Sequence, residues 1–326
     1  MNRFALLLFA FTACSPSTEQ DEQLDLREVV DFAPSNADLK PAPPRCSYTR
    51  KDYHIQGREC PLPYTPNSGS GTLADPFCSL PRALLRIQND SCYRDTSYTL
   101  IVHPAANPWY DRLGPLRLKP FPKYSEDWRS DEFYFDDRIS LVIKTFLDNQ
   151  SPRPLVGGGP GHAVEIQGPH AVALQGVAVG FTSRGGDGVH CEGRRYSDSD
   201  RVDLGGVYLK NVEVSWTEGT GVFAEYCHVS LRDSTVTFAA DRAVVLWDYR
   251  TTYELIGSKF NRNRSVFGPI LSLYSAGDGT FYNNEVVDNE NNNAAITCGW
   301  RERTIIRSLV RHPLPYDGEC LVIDPR

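Results

Sequence analysis

A six-residue run of the form Leu-x-[Asn/Gly/Asp]-x-x-[Val/Phe] keeps returning between residues 174 and 323, and it restricts what this chain can fold into more than any other feature. Clear copies are Leu174-Gln-Gly-Val-Ala-Val179, Leu209-Lys-Asn-Val-Glu-Val214, Leu231-Arg-Asp-Ser-Thr-Val236, Leu255-Ile-Gly-Ser-Lys-Phe260 and Phe281-Tyr-Asn-Asn-Glu-Val286, with a weaker one from Ile305. Their first positions lie 35, 22, 24, 26 and 24 residues apart. Repeats of this length mark stacked supersecondary units, each too small to bury its apolar face alone. A second apolar run follows each copy by 13 to 16 positions: Val189-His-Cys191, Val222-Phe-Ala224, Val244-Val-Leu246, Ile270-Leu-Ser272, Ala295-Ile-Thr297 and Leu321-Val-Ile323. Two short strands per turn, with no helical period between them, exclude Rossmann and TIM arrangements. A coil that lays each strand above its predecessor pairs the backbone groups at ~4.8 Å per step and stacks inward Val, Leu and Ile into one core.

These copies resemble the right-handed parallel β-helix repeat family, the pectate-lyase-like fold, over residues 99–323. The stretch from Gly71-Thr72 to Asp75-Pro-Phe77, with Leu100-Ile-Val-His103 after it, is similar to the N-terminal part of exported bacterial members. Between them Leu80, Ala83, Leu84 and Ile87 fall on one helical face, with Pro81 suited to the first turn. The expected fold is all-β, a right-handed parallel β-helix with an N-terminal amphipathic capping helix that covers the open end of the stack. A left-handed hexapeptide helix lacks its six-residue unit here, and an immunoglobulin-like sandwich is the structural alternative. The resemblance implies carbohydrate-related activity. However, the Asn-Thr-Asp, Asp-Asp and Gly-His-Gly strings of polygalacturonase-like members are absent, as is a lyase-like basic and acidic set. It therefore transfers no catalytic residue.

The chain opens with Met1-Asn-Arg3, an apolar run from Phe4 to Ala13, and Cys14 followed by Ser-Pro-Ser. The run is too short to span a bilayer and has the layout of a secretory signal. Small residues before a cysteine, as in Thr12-Ala13-Cys14, resemble a bacterial lipobox, which implies cleavage before Cys14 and lipidation there; a plain signal peptide is the other reading. Removing Cys14 from nine cysteines leaves eight, Cys46, Cys60, Cys78, Cys92, Cys191, Cys227, Cys298 and Cys320, an even set that suits disulfides in an exported chain. Pairing of sequence neighbours is the simplest arrangement. No cysteine-histidine zinc spacing occurs, so no metal ligand set is expected. The expected organisation is a signal peptide at 1–13 and an acidic, proline-containing tether at 14–45. A disulfide-rich lead-in with the cap helix follows at 46–97, and the β-helix at 98–326. Localisation follows as exported and lipid-anchored at a bacterial outer membrane or cell surface, with the membrane met only through the lipid.

A net charge of −7 without a basic patch argues against nucleic acid. The 35-residue interval holds an oversized loop from Gly193 to Asp203, and long solenoid loops tend to build a binding face. With Val189, Cys191, Val222 and Ala224 inward, alternation sends His190, Glu192, Phe223 and Glu225 outward, followed by Val245 and Trp247. Glu192, Glu225 and His190 are thus the catalytic candidates, since adjacent carboxylates can raise one pKa for proton transfer or share a calcium ion. Phe223, Trp247 and Asp187 are binding candidates beside them, and Arg242, Tyr249 and Arg250 form a second charged and aromatic cluster suited to carboxylated sugars or peptides. The alternative for each is a solvated side chain, a turn residue or a corner salt bridge. His103, His162, His170 and His228 lack spaced partners and receive no role. The leading expectation is a noncatalytic surface module binding polysaccharide or another envelope ligand, without a cofactor. A divergent polysaccharide lyase or glycoside hydrolase, and a structural envelope protein, are the alternatives.

Overall fold

The computed structural model describes residues 47–57, 69–104, 112–120, 133–135, 138–147, 152–196, 200–266 and 268–323. All of them belong to one compact unit, residues 44–326. Cys14, the signal and tether, Cys46 and Cys60 lie outside the described residues.

The chain is a parallel β-helix whose coils carry three strands, one more than the two apolar runs suggest. A first sheet runs through Thr49–Gln56, Thr96–His103, Ser140–Thr145, Ala171–Gln175, Gly205–Lys210, Cys227–Arg232, Thr252–Ile256 and Gly279–Tyr282, each parallel to the next. A second sheet of eight shorter strands includes Ala178–Gly180, Glu213–Thr217, Thr235–Ala239 and Lys259–Asn261. The third passes through Leu116–Pro120, Val164–Gln167, Val189–Glu192, Val222–Glu225, Val244–Trp247 and Leu271–Ser272. Ile296–Ile306 and Tyr316–Ile323 are long enough to bend from the third sheet into the first.

The recurring six-residue run is a corner rather than a strand. Its first residue is the penultimate one of a first-sheet strand and points inward; Leu174, Leu209, Leu231, Leu255, Phe281 and Ile305 are all buried. Its third residue takes the left-handed conformation in every copy: Gly176, Asn211, Asp233, Gly257, Asn283 and Arg307 have φ between 49° and 73°. Gly, Asn and Asp tolerate that region best, which is why they recur. The fourth residue turns back inside. Here Ser234, Ser258, Asn284 and Ser308 form a ladder: Ser234 N–H donates to Ser258 Oγ (3.2 Å), Ser258 N–H to Asn284 Oδ1 (2.8 Å) and Asn284 N–H to Ser308 Oγ (3.0 Å). The sixth residue is the inward Val or Phe of the second sheet.

The helix Leu80–Gln88 starts with Pro81 in its first turn and buries Leu80, Ala83, Leu84 and Ile87, as the spacing predicts. It packs against Thr49–Gln56, Arg112–Gly114 and Phe133–Phe135. Thr49–Gln56 is itself a full rung in register with Thr96–His103, although its composition carries no strand signal. One run is displaced: Leu321-Val-Ile323 pairs with Thr304–Ile306 in the first sheet, and Tyr316–Gly318 supplies the third-sheet rung instead. Cys191–Cys227 and Cys298–Cys320 are disulfides, as neighbour pairing predicts. Cys78 and Cys92 are half-cystines too.

Candidate functional site

The outer face of the third sheet brings together the residues that alternation sends outward. Glu192 and Glu225 are register partners on adjacent strands, Glu225 is in turn opposite Trp247, and His190 is opposite Phe223. The His190 and Phe223 rings stack at 4.8 Å. Val245, outward by alternation, is nonetheless buried. On the other side of His190, Glu165 accepts an ion pair from Lys119 (2.9 Å) and lies 3.8 Å from Arg117. The oversized loop stands up as a small hairpin, Arg194–Arg195 against Val202–Asp203, and Arg195 donates to the Tyr226 hydroxyl (3.4 Å).

Asp187 is the hub of this shelf, at the corner two residues before Val189. His190 Nδ1 is 2.8 Å from Asp187 Oδ2, and Thr220 N–H donates to Oδ1 at 2.7 Å. Burial opposes the Asp187 charge. The His162 ring beside it and the hydrogen bonds from His190 and Thr220 N–H outweigh it and hold the carboxyl down at about 2. Burial likewise opposes a charged His190, yet its hydrogen bonds to Asp187 and Glu192 raise it to about 9. The two glutamates diverge. The bond from His190 lowers Glu192, whereas burial, then the charges of Glu192 and Asp248, raise Glu225. One carboxylate biased to stay ionised beside one biased to hold a proton is the pairing that acid and base roles require.

His162, given no role by its sequence surroundings, lies one coil before Asp187. Its Nδ1 accepts from Asp187 N–H (3.0 Å), and its ring stacks on His190 at 4.2 Å. A signal for it existed: His162 and Asp187 each stand two residues before the inward valine of a third-sheet strand, Val164 and Val189. Gly186 allows the coils this close, because a Cβ there would lie 2.0 Å from Gly161 O. The second expected cluster does not join the shelf. Arg242 holds Asp241 (3.2 Å) at a corner, and Arg250 lies over the exposed Tyr249 ring at 4.9 Å. No described contact links either to His190.

A further feature follows the second sheet. Phe181, Trp216 and Phe238 occupy the same corner in consecutive coils, all in the left-handed region (φ 52°, 56° and 55°). Trp216 and Phe238 stack closely at 4.3 Å and 12°, and Arg262 of the next coil covers Phe238 at 5.6 Å. Phe181 and Trp216 are wider apart, at 6.4 Å, and are 47% and 52% exposed. Together with Gly158, Thr182, Thr217, Glu218 and Ala240 they line a groove. The period was visible in the sequence: each aromatic falls two residues after the inward valine of its run, Val179, Val214 or Val236.

No protein-family model, no curated protein and no solved structure matches this chain.

Proposed function

We propose that this protein is an exported, lipid-anchored β-helix that binds a polysaccharide or similar envelope glycan noncatalytically, in the groove beside Phe181, Trp216 and Phe238. The carrying observation is the identity of those three residues. Their backbone conformation favours Gly, Asn or Asp and costs about 1–2 kcal/mol for a larger residue. Mutual stacking returns about 0.5–1.5 kcal/mol per pair, so folding alone gives little reason to put aromatics there. Half-exposed rings beside hydroxyl and carboxylate groups offer a sugar both an apolar surface and hydrogen-bond partners. The pectate-lyase-like resemblance of the repeats supports a carbohydrate ligand, and Cys14 with its preceding small residues supports the anchor. Membrane fractionation of Cys14→Ser checks the anchor separately.

A carbohydrate-active enzyme is the second reading, favoured by the opposed protonation tendencies of Glu192 and Glu225 beside His190. The full chain, screened against a polysaccharide panel, is expected to bind without releasing unsaturated or reducing ends. Trp216→Asn is expected to lose at least tenfold in affinity while its unfolding midpoint stays near that of the parent. Unchanged affinity would overturn the groove. Turnover that Glu225→Gln abolishes without unfolding the protein would establish the enzyme instead.

A further inference from the structure

The donor atoms of His162, Asp187 and His190 all lie within 4.8 Å of one another, although the first comes from a different coil. Asp187 Oδ2 is 2.8 Å from His190 Nδ1 and 3.3 Å from His162 Nδ1. Ligands on one tetrahedral zinc ion, each ~2.1 Å from it, stand ~3.4 Å apart. The three donor atoms are thus at ligand spacing, and the two imidazoles, stacked at 4.2 Å, must turn out of their stack to converge on one ion. We propose that His162, Asp187 and His190 form a binding site for one divalent transition-metal ion, with zinc the best match to two imidazoles and a carboxylate.

Three surrounding features fit that assignment. Thr220 N–H fixes Asp187 through its other oxygen at 2.7 Å, so the carboxylate is oriented before any ion arrives. Glu192 Oε2 lies 3.9 Å from His190 Nε2, the ring nitrogen that does not face the site, and a carboxylate there is the usual outer partner of a metal-binding histidine. The local charge also favours a cation. Glu165, Asp187 and Glu192 are opposed by Arg117 and Lys119, which both engage Glu165. The site is partly sheltered, with side-chain exposures of 27%, 13% and 19% for His162, Asp187 and His190. Three protein ligands leave a coordination position for water or a ligand oxygen. On loading, the ion takes the position now spanned by the His190 Nδ1 to Asp187 hydrogen bond, His190 keeps its ring N–H on Nε2 toward Glu192, and His162 exchanges its bond from Asp187 N–H for the metal.

The test is equilibrium dialysis of the chelator-stripped full chain against Zn2+, with Ca2+ as the control cation. One Zn2+ per chain is expected at micromolar concentration, with a raised thermal midpoint, and Ca2+ does not compete. Asp187→Asn keeps an acceptor for Thr220 N–H, and together with His162→Gln it is expected to lower Zn2+ affinity at least a hundredfold. In the wild-type protein, Co2+ in place of Zn2+ is expected to give visible absorption from nitrogen and oxygen ligation, a readout that does not depend on the variants folding. Wild-type protein that binds no Zn2+, or folded variants that bind it undiminished, would overturn the site and leave these residues as a hydrogen-bonded corner.

Discussion

At the scale of single residues, the protonation of a histidine in the interior matters for stability. His170 is fully buried, its Nδ1 accepts from Ile139 N–H at 3.3 Å, and it packs edge-on to Phe135. Burial lowers its pKa to about 4; a backbone hydrogen bond to Lys119 works against that shift, while the neighbouring Arg138 charge adds to it. The folded state therefore keeps His170 neutral down to a pH at which the unfolded chain, near 6.5, has taken up a proton. Its contribution is intact above pH 6.5, falls as pH drops toward 4 and levels off below, a change of about 3 kcal/mol. Urea unfolding of the parent and of His170→Gln across pH 8 to 4 checks this. The stability gap between them is expected to narrow toward acid, and a constant gap would count against it.

At the scale of elements, the corners explain both what was legible and what was not. Leu209 and Val214, or Leu231 and Val236, announce themselves because both are inward and their spacing repeats. The strand that Val214 belongs to does not. Second-sheet strands such as Ala178–Gly180 or Lys259–Asn261 span three residues and bury one side chain that the corner motif already claims, so no alternation develops. Thr49–Gln56 is hidden for a related reason, since Ile55 is its one fully buried side chain. At the candidate site, alternation correctly placed His190, Glu192 and Glu225 on one face. It could not reach His162 or the corner aromatics, whose positions depend on turns of left-handed backbone. The same turns carry the buried polar ladder. Asn284 accepts from Ser258 N–H and donates to Leu255 C=O at 2.6 Å. Asn284→Ala takes the side-chain acceptor from the buried Ser258 N–H and one donor from Leu255 C=O and is expected to cost about 1–3 kcal/mol. Ser308→Ala removes one acceptor near the surface and should cost about 1 kcal/mol. Equal effects in chemical denaturation would show that the ladder does not depend on Asn284.

At the scale of the whole molecule, stacked coils touch only their neighbours, so stability is expected to be distributed locally along the axis. The Cys191–Cys227 disulfide sits at the 35-residue coil from Leu174 to Leu209, longer than the coils that follow it. It ties the third-sheet strand Val189–Glu192 to the start of the first-sheet strand Cys227–Arg232, across the hairpin insertion, and both cysteines are fully buried. Closing a loop with a sequence separation of 36 restricts the unfolded chain by about 3–4 kcal/mol. Replacing both cysteines with alanine removes that restriction and also frees the insertion from its anchor. Hydrogen exchange in the double variant is expected to quicken in Val189–Glu192, Gly205–Lys210 and Cys227–Arg232. Thr96–His103, several coils away, should exchange as before. An increase spread evenly over every coil would mean instead that the solenoid opens as one cooperative body, and the disulfide would then be stabilising the cap as much as the candidate site.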